Sequence, residues 1–389
     1  CPVGKFAFGS GAATEASCTT CQAGFRLLVD VLASGDATSE ADVCEQAPPG
    51  WYATAGSSVF QPCPAGTYFA LRGGTSAADC NACPAGKWGN VTGATSAASC
   101  ENCKRGTYGT AAGATSAANC TACPRGSYGE LEGAASLQSC VACPAGTYQP
   151  QRGAQGLGAC VNCPLGTYRS ETGGVGESDC ELCPAGTYGT VAGANSVAGC
   201  ASCLTGKWSS TAGATDASAC VDCAAGKYGT GPGASAEAVG CTSCSSGKYG
   251  TGPGAATEAT GCADCPVGKA GTGAGAATEA AGCTDCPAGW TTTAAGLPGV
   301  ANCTACPAGK YGGGASAECT LCPAGTWSSE VGASSEQSCA ACPAGTARSS
   351  TGASSSALCE ACPPGLVAPA PRATQCGACP LGEYALNGT

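Results

Sequence analysis

Two cysteines three positions apart return about every twenty residues along this 389-residue chain. The pairs begin at Cys18/Cys21, settle into register at Cys80/Cys83 and run to Cys376/Cys379. One phrase fills the gaps; at 183–200 it reads CPAGTYGTVAGANSVAGC. A unit of that length cannot bury a core of its own, so covalent cross-links have to supply much of its stability. The side chains agree. There are 37 Cys and 63 Gly against five Phe, five Trp and no Met, which leaves little volume for a large globular interior. So many cysteines require an oxidising compartment, secreted or at the cell surface.

The same composition excludes several functions. Histidine is absent, which removes the commonest general base and a common metal ligand. No nucleophile–base constellation is present, so no catalytic residue, no cofactor and no enzymatic activity are expected. The net charge of −10 is thinly spread and contains no basic run, which argues against nucleic acid as a partner. No apolar stretch approaches the roughly 18 residues needed to span a bilayer. The chain opens on Cys1 and stops inside CPLGEYALNGT, and so reads as a segment of a longer array.

Counting each repeat from the second cysteine of a pair gives starts at 1, 21, 63, 83, 103 and onward by twenty to 223. Further starts follow at 244, 265, 286, 306, 322, 342, 362 and 379, with a degenerate one at Ala47. The expected divisions are a repeat at 1–21 and atypical repeats at 21–62, with an apolar insertion and one disulfide-less unit. Regular 20-residue repeats follow at 63–222, 21-residue repeats at 223–285, variable-length repeats at 286–378 and a truncated repeat at 379–389. Glycine holds the fourth position of all twenty units, and proline follows the start in fifteen. Cys-Pro-x-Gly is a turn signature, with Pro setting φ at the second position and Gly closing at the fourth. A second glycine about seven residues before the closing cysteine, as at Gly93 and Gly193, reverses the chain again. The expected fold is a set of small disulfide-rich repeats. These are irregular short β-hairpins stacked into an elongated solenoid-like rod, with essentially no helix and each unit touching only its neighbours.

The degenerate unit discriminates among pairing schemes. It carries Ala47 where a start cysteine belongs and Phe60 where a closing one belongs. Bonding each start to the cysteine about seventeen residues on loses one complete bond there and strands nothing. Bonding within a doublet strands Cys44 and Cys63, and cross-linking successive doublets strands them too unless the pairing rearranges. The first scheme predicts Cys1–Cys18, Cys21–Cys44, Cys63–Cys80, Cys83–Cys100, Cys103–Cys120 and Cys123–Cys140. It continues with Cys143–Cys160, Cys163–Cys180, Cys183–Cys200, Cys203–Cys220, Cys223–Cys241 and Cys244–Cys262. The remainder are Cys265–Cys283, Cys286–Cys303, Cys306–Cys319, Cys322–Cys339, Cys342–Cys359 and Cys362–Cys376. Only Cys379 is left over.

All eleven tyrosines fall at the sixth position of a unit, from Tyr52 to Tyr384, and Phe6, Trp88, Trp208 and Trp327 share the slot. A ring at a fixed distance from a half-cystine is expected to pack on the disulfide or on the next unit. The alternative is an exposed ladder of rings for a carbohydrate or protein partner. Beside the disulfide-less unit lies the densest large-apolar run, FRLLVDVL at 25–32. Burial of Trp51, Tyr52 and Phe60 with that run is expected to replace the missing bond. The alternative is an interface to another chain.

The Cys-Pro-x-Gly-x-aromatic opening and Cys-x2-Cys closure, as from Cys143 to Tyr148 with Cys160 and Cys163, resemble the cysteine-rich repeats of the ephrin-receptor-like class. They are also similar to the first, single-disulfide module of tumour-necrosis-factor-receptor repeats. The resemblance covers nearly the whole chain except 25–62. It implies elongated, disulfide-stapled extracellular rods of loop-dominated units, as in long arrays of large protist and algal surface proteins.

Zinc is a competing reading of Cys-x2-Cys repeated at this interval. Against it, Cys1, Cys44 and Cys63 stand outside doublets and the array does not divide into fours, so no metal site is expected. N-glycosylation sequons occur at Asn90, Asn119, Asn302 and Asn387. The functional expectation is an extracellular structural protein forming a stiff, glycosylated rod or filament core that self-associates. The alternative is a receptor or adhesin ectodomain whose partner sits on 25–62.

Overall fold

The computed structural model describes residues 1, 5–8, 14–30 and 38–379. Each repeat in it is a short antiparallel hairpin. In the repeat that starts at Cys103, Thr107–Tyr108 pairs with Thr121–Ala122, setting Tyr108 opposite Thr121. The first strand follows a tight turn one residue later than Cys-Pro-x-Gly suggests. In the preceding repeat Lys87 N donates to Pro84 O (3.0 Å), and Gly86 sits third in that turn at φ +85°. Positive φ at the third position is the type II requirement, which only glycine meets without strain.

Between the strands a three-residue 3-10 turn leads into the closing cysteine. Ala97–Ser99 is one, and Cys100 N closes it on Ala97 O. The 21-residue units absorb their extra residue here. Their turn becomes one turn of α-helix, at Glu237–Gly240, Glu258–Gly261 and Glu279–Gly282, so that the closing cysteine N reaches four residues back instead of three. A similar turn stands at Glu40–Val43. Regular helix in the described repeats is thus confined to single turns, too short to be stable alone.

Some of these turns are capped by carboxylates. Asp79 accepts from Thr75 Oγ1 (2.7 Å), Thr75 N (2.6 Å) and Ser76 N (3.1 Å), which holds its carboxyl below the ordinary value. Ser39 and Thr38 do the same for Asp42, and Val175 N and Gly176 N for Asp179. A depressed carboxyl adds stability above its unfolded pKa, and that contribution disappears as pH falls through the lower folded value. The turns before Cys44, Cys80 and Cys180 are therefore expected to loosen below about pH 4. Those at Ala97–Ser99 and Ala117–Asn119, which contain no carboxylate, should not. Hydrogen-exchange protection factors above and below that pH test this; equal loosening of all five turns would refute the capping role.

The chain divides into two units, Cys1–Leu182 with Val191–Gly199, and Cys183–Thr190 with Cys200–Thr389. Within each, successive repeats are joined by main-chain hydrogen bonds. In the first, Gly86 N donates to Gly109 O (2.7 Å), Gly89 N to Ala114 O (2.9 Å) and Gly113 N to Cys83 O (2.8 Å). These bonds bracket a parallel bridge, Trp88 to Ala114. In the second unit, Gly289 N–Gly312 O, Gly312 N–Ala333 O and Gly332 N–Cys306 O repeat the pattern. Each such bond contributes about 0.5–1.5 kcal/mol net.

Contact also reaches the second neighbour, which corrects the expectation that each repeat touches only the adjacent one. A Cβ on Gly106 would lie 2.7 Å from the carbonyl carbon of Gly153, two repeats on, and closer still to its oxygen. Gly289 meets Gly332 in the same way. The fourth-position glycine therefore serves two ends. It makes the turn, and it lets two backbones touch where a side chain would hold them apart.

The disulfide-less unit keeps this scaffold. Gly50 N bonds Phe69 O, Ala53 N bonds Gly74 O and Gly73 N bonds Ala47 O, all at 2.8–2.9 Å. Ala47 is fully buried in the place of a cysteine. The expected apolar substitute for the bond is not what is observed. Trp51 is 37% exposed, with its indole over Gly93, and Phe60 is half-buried beneath the Arg26 guanidinium, 4.4 Å from the ring centroid. Within the described part of the apolar run, Leu27 joins Phe6, Cys21, Val43 and Cys44 in a small core of the repeat before, and Phe25 packs against it. The main chain, not a cluster of rings, carries this unit through its missing cross-link.

Ala47 and Phe60 are separated by 13 residues, as are the bonded Cys306 and Cys319. The double change Ala47→Cys, Phe60→Cys is expected to close a bond and stabilise the unit by about 2 kcal/mol. That is the loop-closure gain less the lost cation–π contact. A mass shift of two hydrogens and slower exchange over 47–60 would show it; two persistently free thiols would count against it.

Candidate functional site: the stapled hairpin and its outward face

The structure joins each start cysteine from Cys1 to Cys362 to the closing cysteine of its own repeat. Sequence separations run from 13 at Cys306–Cys319 to 23 at Cys21–Cys44, with Cα atoms near 5.7 Å apart. Cys80 and Cys83 thus belong to different bonds, with Cys63 and Cys100. Cys379 carries a free, half-buried thiol.

The sixth and seventh positions lie on opposite faces of the first strand, as successive strand residues must. The inward one is the seventh. A Cβ on Gly109 would stand 3.2 Å from Cys103 Sγ, and on Gly129 3.1 Å from Cys123 Sγ. Ala53, Ser209, Thr292, Ser328 and Ala368 are buried at the same place. Where the residue is long it turns along the hairpin instead. Arg169 Nη1 donates to Asp179 O (2.9 Å), Arg348 Nη1 to Leu358 O (3.0 Å) and Gln149 Nε2 to Ala159 O. Within its own repeat the disulfide therefore packs on the seventh residue, while the sixth reaches the disulfide of the next repeat, as Phe6 packs with Cys21 and Cys44, Ala270 with Cys286 and Cys303, and Ala347 with Cys362. The glycine at position 89, 109, 129, 189 or 312 is the signal for this in the sequence.

The sixth-position tyrosines are half-buried and lean over the repeat that follows. Tyr249 Cβ would lie 3.1 Å from a Cβ on Gly282, and Tyr148 Cβ 3.0 Å from one on Gly174. Across the hairpin each ring faces the residue after the closing cysteine. Tyr52 Oη donates to Gln61 Oε1 (2.9 Å), and the hydrogen bond of Tyr168 to the Glu181 carboxylate pushes its phenol pKa up. Tyr384 lies outside the described residues.

The other shifted groups are cross-strand or turn pairs. Lys248 is raised by its bond to Asp264 (2.9 Å), and Lys269 by its bond to Glu279 (2.9 Å). These are partly exposed surface pairs of modest worth, and among the described residues they do not converge on a cleft. Among the described residues no group of three or more His, Cys, Asp or Glu is placed to hold a metal ion. None of the described helices is long and apolar enough to cross a membrane.

Three of the sequons are exposed, and their asparagines differ in local bonding. Asn119 Oδ1 accepts from Ser116 N (3.1 Å) in a turn cap, and Asn302 Nδ2 donates to Gly299 O (3.3 Å). Asn90 follows the outward strand of its hairpin. Asn387 lies outside the described residues.

The family model described as tyrosine-protein kinase ephrin type A/B receptor-like matches this chain five times, at 50–100, 109–157, 133–180, 153–200 and 309–359. No curated protein matches it. The matched stretches contain the turn glycine, the outward ring and the stapled hairpin described above. Modules of this kind are non-catalytic and of extracellular type. The cysteine-rich repeats at 50–100, 109–200 and 309–359 belong to the ephrin-receptor-like family.

Proposed function

We propose that the chain is a structural protein, secreted or held at the cell surface, whose repeats build a stiff, N-glycosylated rod that self-associates as the core of a filament. The observation that carries this reading is the bonding between repeats. Main-chain bonds to the adjacent repeat and backbone contact with the second neighbour resist bending more than a string of independently tethered modules would. The family match and the density of disulfides support an oxidising, extracellular setting. Small-angle scattering and negative-stain imaging of the purified chain test the proposal. Particle length should grow in proportion to the number of repeats, and particles should associate side to side or end to end as concentration rises. Flexible or compact particles that stay monomeric would refute it.

The receptor or adhesin reading has one supporting observation, at the second repeat. A groove of ≈380 Å³ there is lined by Gln22, Phe25, Glu40, Ala41 and Cys44. A monomeric chain that binds a partner saturably, and loses it on Phe25→Asp, would favour that reading instead.

A further inference from the structure

Two residues beyond the strand Lys87–Trp88 stands a sequon, Asn90-Val91-Thr92. Gly89 faces inward, 3.3 Å from Cys83 Sγ when given a Cβ, so Trp88 on the strand projects to the other side. Asn90, Val91 and Thr92 are all exposed, and Trp88 is half-buried. One side of the indole forms the wall of an open groove of ≈120 Å³, with Glu101, Lys104, Thr107 and Ala117. Neither of the other two described sequons has this arrangement. Asn119 follows Ala117 by two residues and caps its own turn, while Asn302 follows Val300 and donates to Gly299 O. In both, the middle residue is a disulfide-bonded cysteine held at the strand entry, Cys120 or Cys303.

From these differences we infer that Asn90 is the preferred N-glycosylation site among the three, and that the Trp88 ring is the platform for its first N-acetylglucosamine. The inference rests on the secreted, glycosylated reading above and adds a residue-level contact to it. The sugar is linked to the asparagine amide at residue 90, and Trp88 stands two residues back, within about 7 Å along the chain. The apolar C–H face of a hexosamine complements the electron-rich face of an indole, and covering that face removes apolar surface from water. The glycan thereby braces the loop inside the Cys83–Cys100 ring while leaving the inter-repeat bonds of Gly86, Gly89 and Gly113 in place.

The test uses the full chain secreted from a eukaryotic cell line as wild type, Trp88→Ala, Thr92→Ala and the double variant. The same four chains are made in a bacterial periplasm, where no N-glycan is added. Glycopeptide mass spectrometry reads occupancy of each sequon, and hydrogen exchange reads the segment 84–99. Asn90 is expected to be occupied in a larger fraction of molecules than Asn119 or Asn302. With the glycan present, wild type should exchange about two- to tenfold more slowly than Thr92→Ala, the range one ring contact supplies. In the Trp88→Ala background and in periplasmic chains, Thr92→Ala should change nothing. Trp88→Phe, which keeps an aromatic face, should retain the slowing. Should Trp88→Ala fail to be secreted, Trp88→Leu takes its place. A bare Asn90 would overturn the glycosylated reading at this site, and equal occupancy of the three sequons would overturn the preference. An occupied Asn90 that slows exchange equally without the aromatic ring would overturn the ring contact alone.

Discussion

Gly106→Val is expected to disrupt three successive repeats, with a local loss of roughly 3–5 kcal/mol. The residue sits at φ +79°. A left-handed backbone costs an ordinary L-residue about 1–2 kcal/mol and a β-branched one more. The second cost is steric and falls on main chain. The new Cβ would run into the Gly153 carbonyl, and Gly153 is tied in place by its own bond to Cys123 O (2.9 Å). A flexible side chain would swing away; a hydrogen-bonded backbone cannot. The third cost is connectivity, because Gly106 N bonds Gly129 O and Gly106 O accepts from Cys123 N, both at 2.8 Å. Hydrogen exchange should show lost protection from the repeats starting at Cys103, Cys123 and Cys143, with distant repeats in the array unaffected. Gly158→Ala is the control, since a Cβ there meets nothing within 4 Å. Wild-type protection in Gly106→Val would show that the second-neighbour contact contributes little.

Removing one staple should be nearly as costly but more confined. Cys143→Ser with Cys160→Ser opens a ring closed over 17 residues, and the chain-entropy model puts the loss at roughly 3 kcal/mol. The repeat should nevertheless keep its neighbours. Gly146 N–Arg169 O, Gln149 N–Gly174 O and Gly173 N–Cys143 O involve only main chain, and the unit at Ala47 holds the equivalent bonds with no disulfide. Faster exchange and proteolytic nicking confined to 144–159 is the expected result. Collapse of the surrounding array would show instead that the staples act as one cooperative network. Reducing every bond is a different matter. The loss per repeat then exceeds the margin of a few kcal/mol by which small domains are stable, and the chain should unfold throughout. Peptide mapping of the unreduced chain is the direct reading of the pairing, and is expected to return one linked pair for each repeat that has two cysteines.

Much of the repeat is legible in the residues alone, and the features that are not share a cause. The turn glycine was legible because positive φ belongs to glycine, so its recurrence from Gly24 to Gly365 marks a conformation. Its place in the turn lies one residue away from what the motif suggests, because Pro-x-Gly-x and Cys-Pro-x-Gly differ only in which carbonyl closes the bond. The inward and outward faces were not legible. A two-residue strand shows no alternation, so nothing in the spacing separates the seventh position, which meets the sulfur of its own repeat, from the sixth, which packs on the repeat that follows. The bonds that the unit at Ala47 shares with its neighbours are hidden for the same reason, since main-chain bonding has no side-chain signature while Trp51 and Phe60 stand out in the sequence.

Covalent ring and turn were therefore settled locally, because the demands of cysteine and glycine are properties of single residues and survive any arrangement of neighbours. How one repeat rests on the next, and on the one after it, was decided only by the folded backbone. Those contacts join N–H to C=O and glycine to glycine, groups that every repeat possesses and that no spacing of side chains announces.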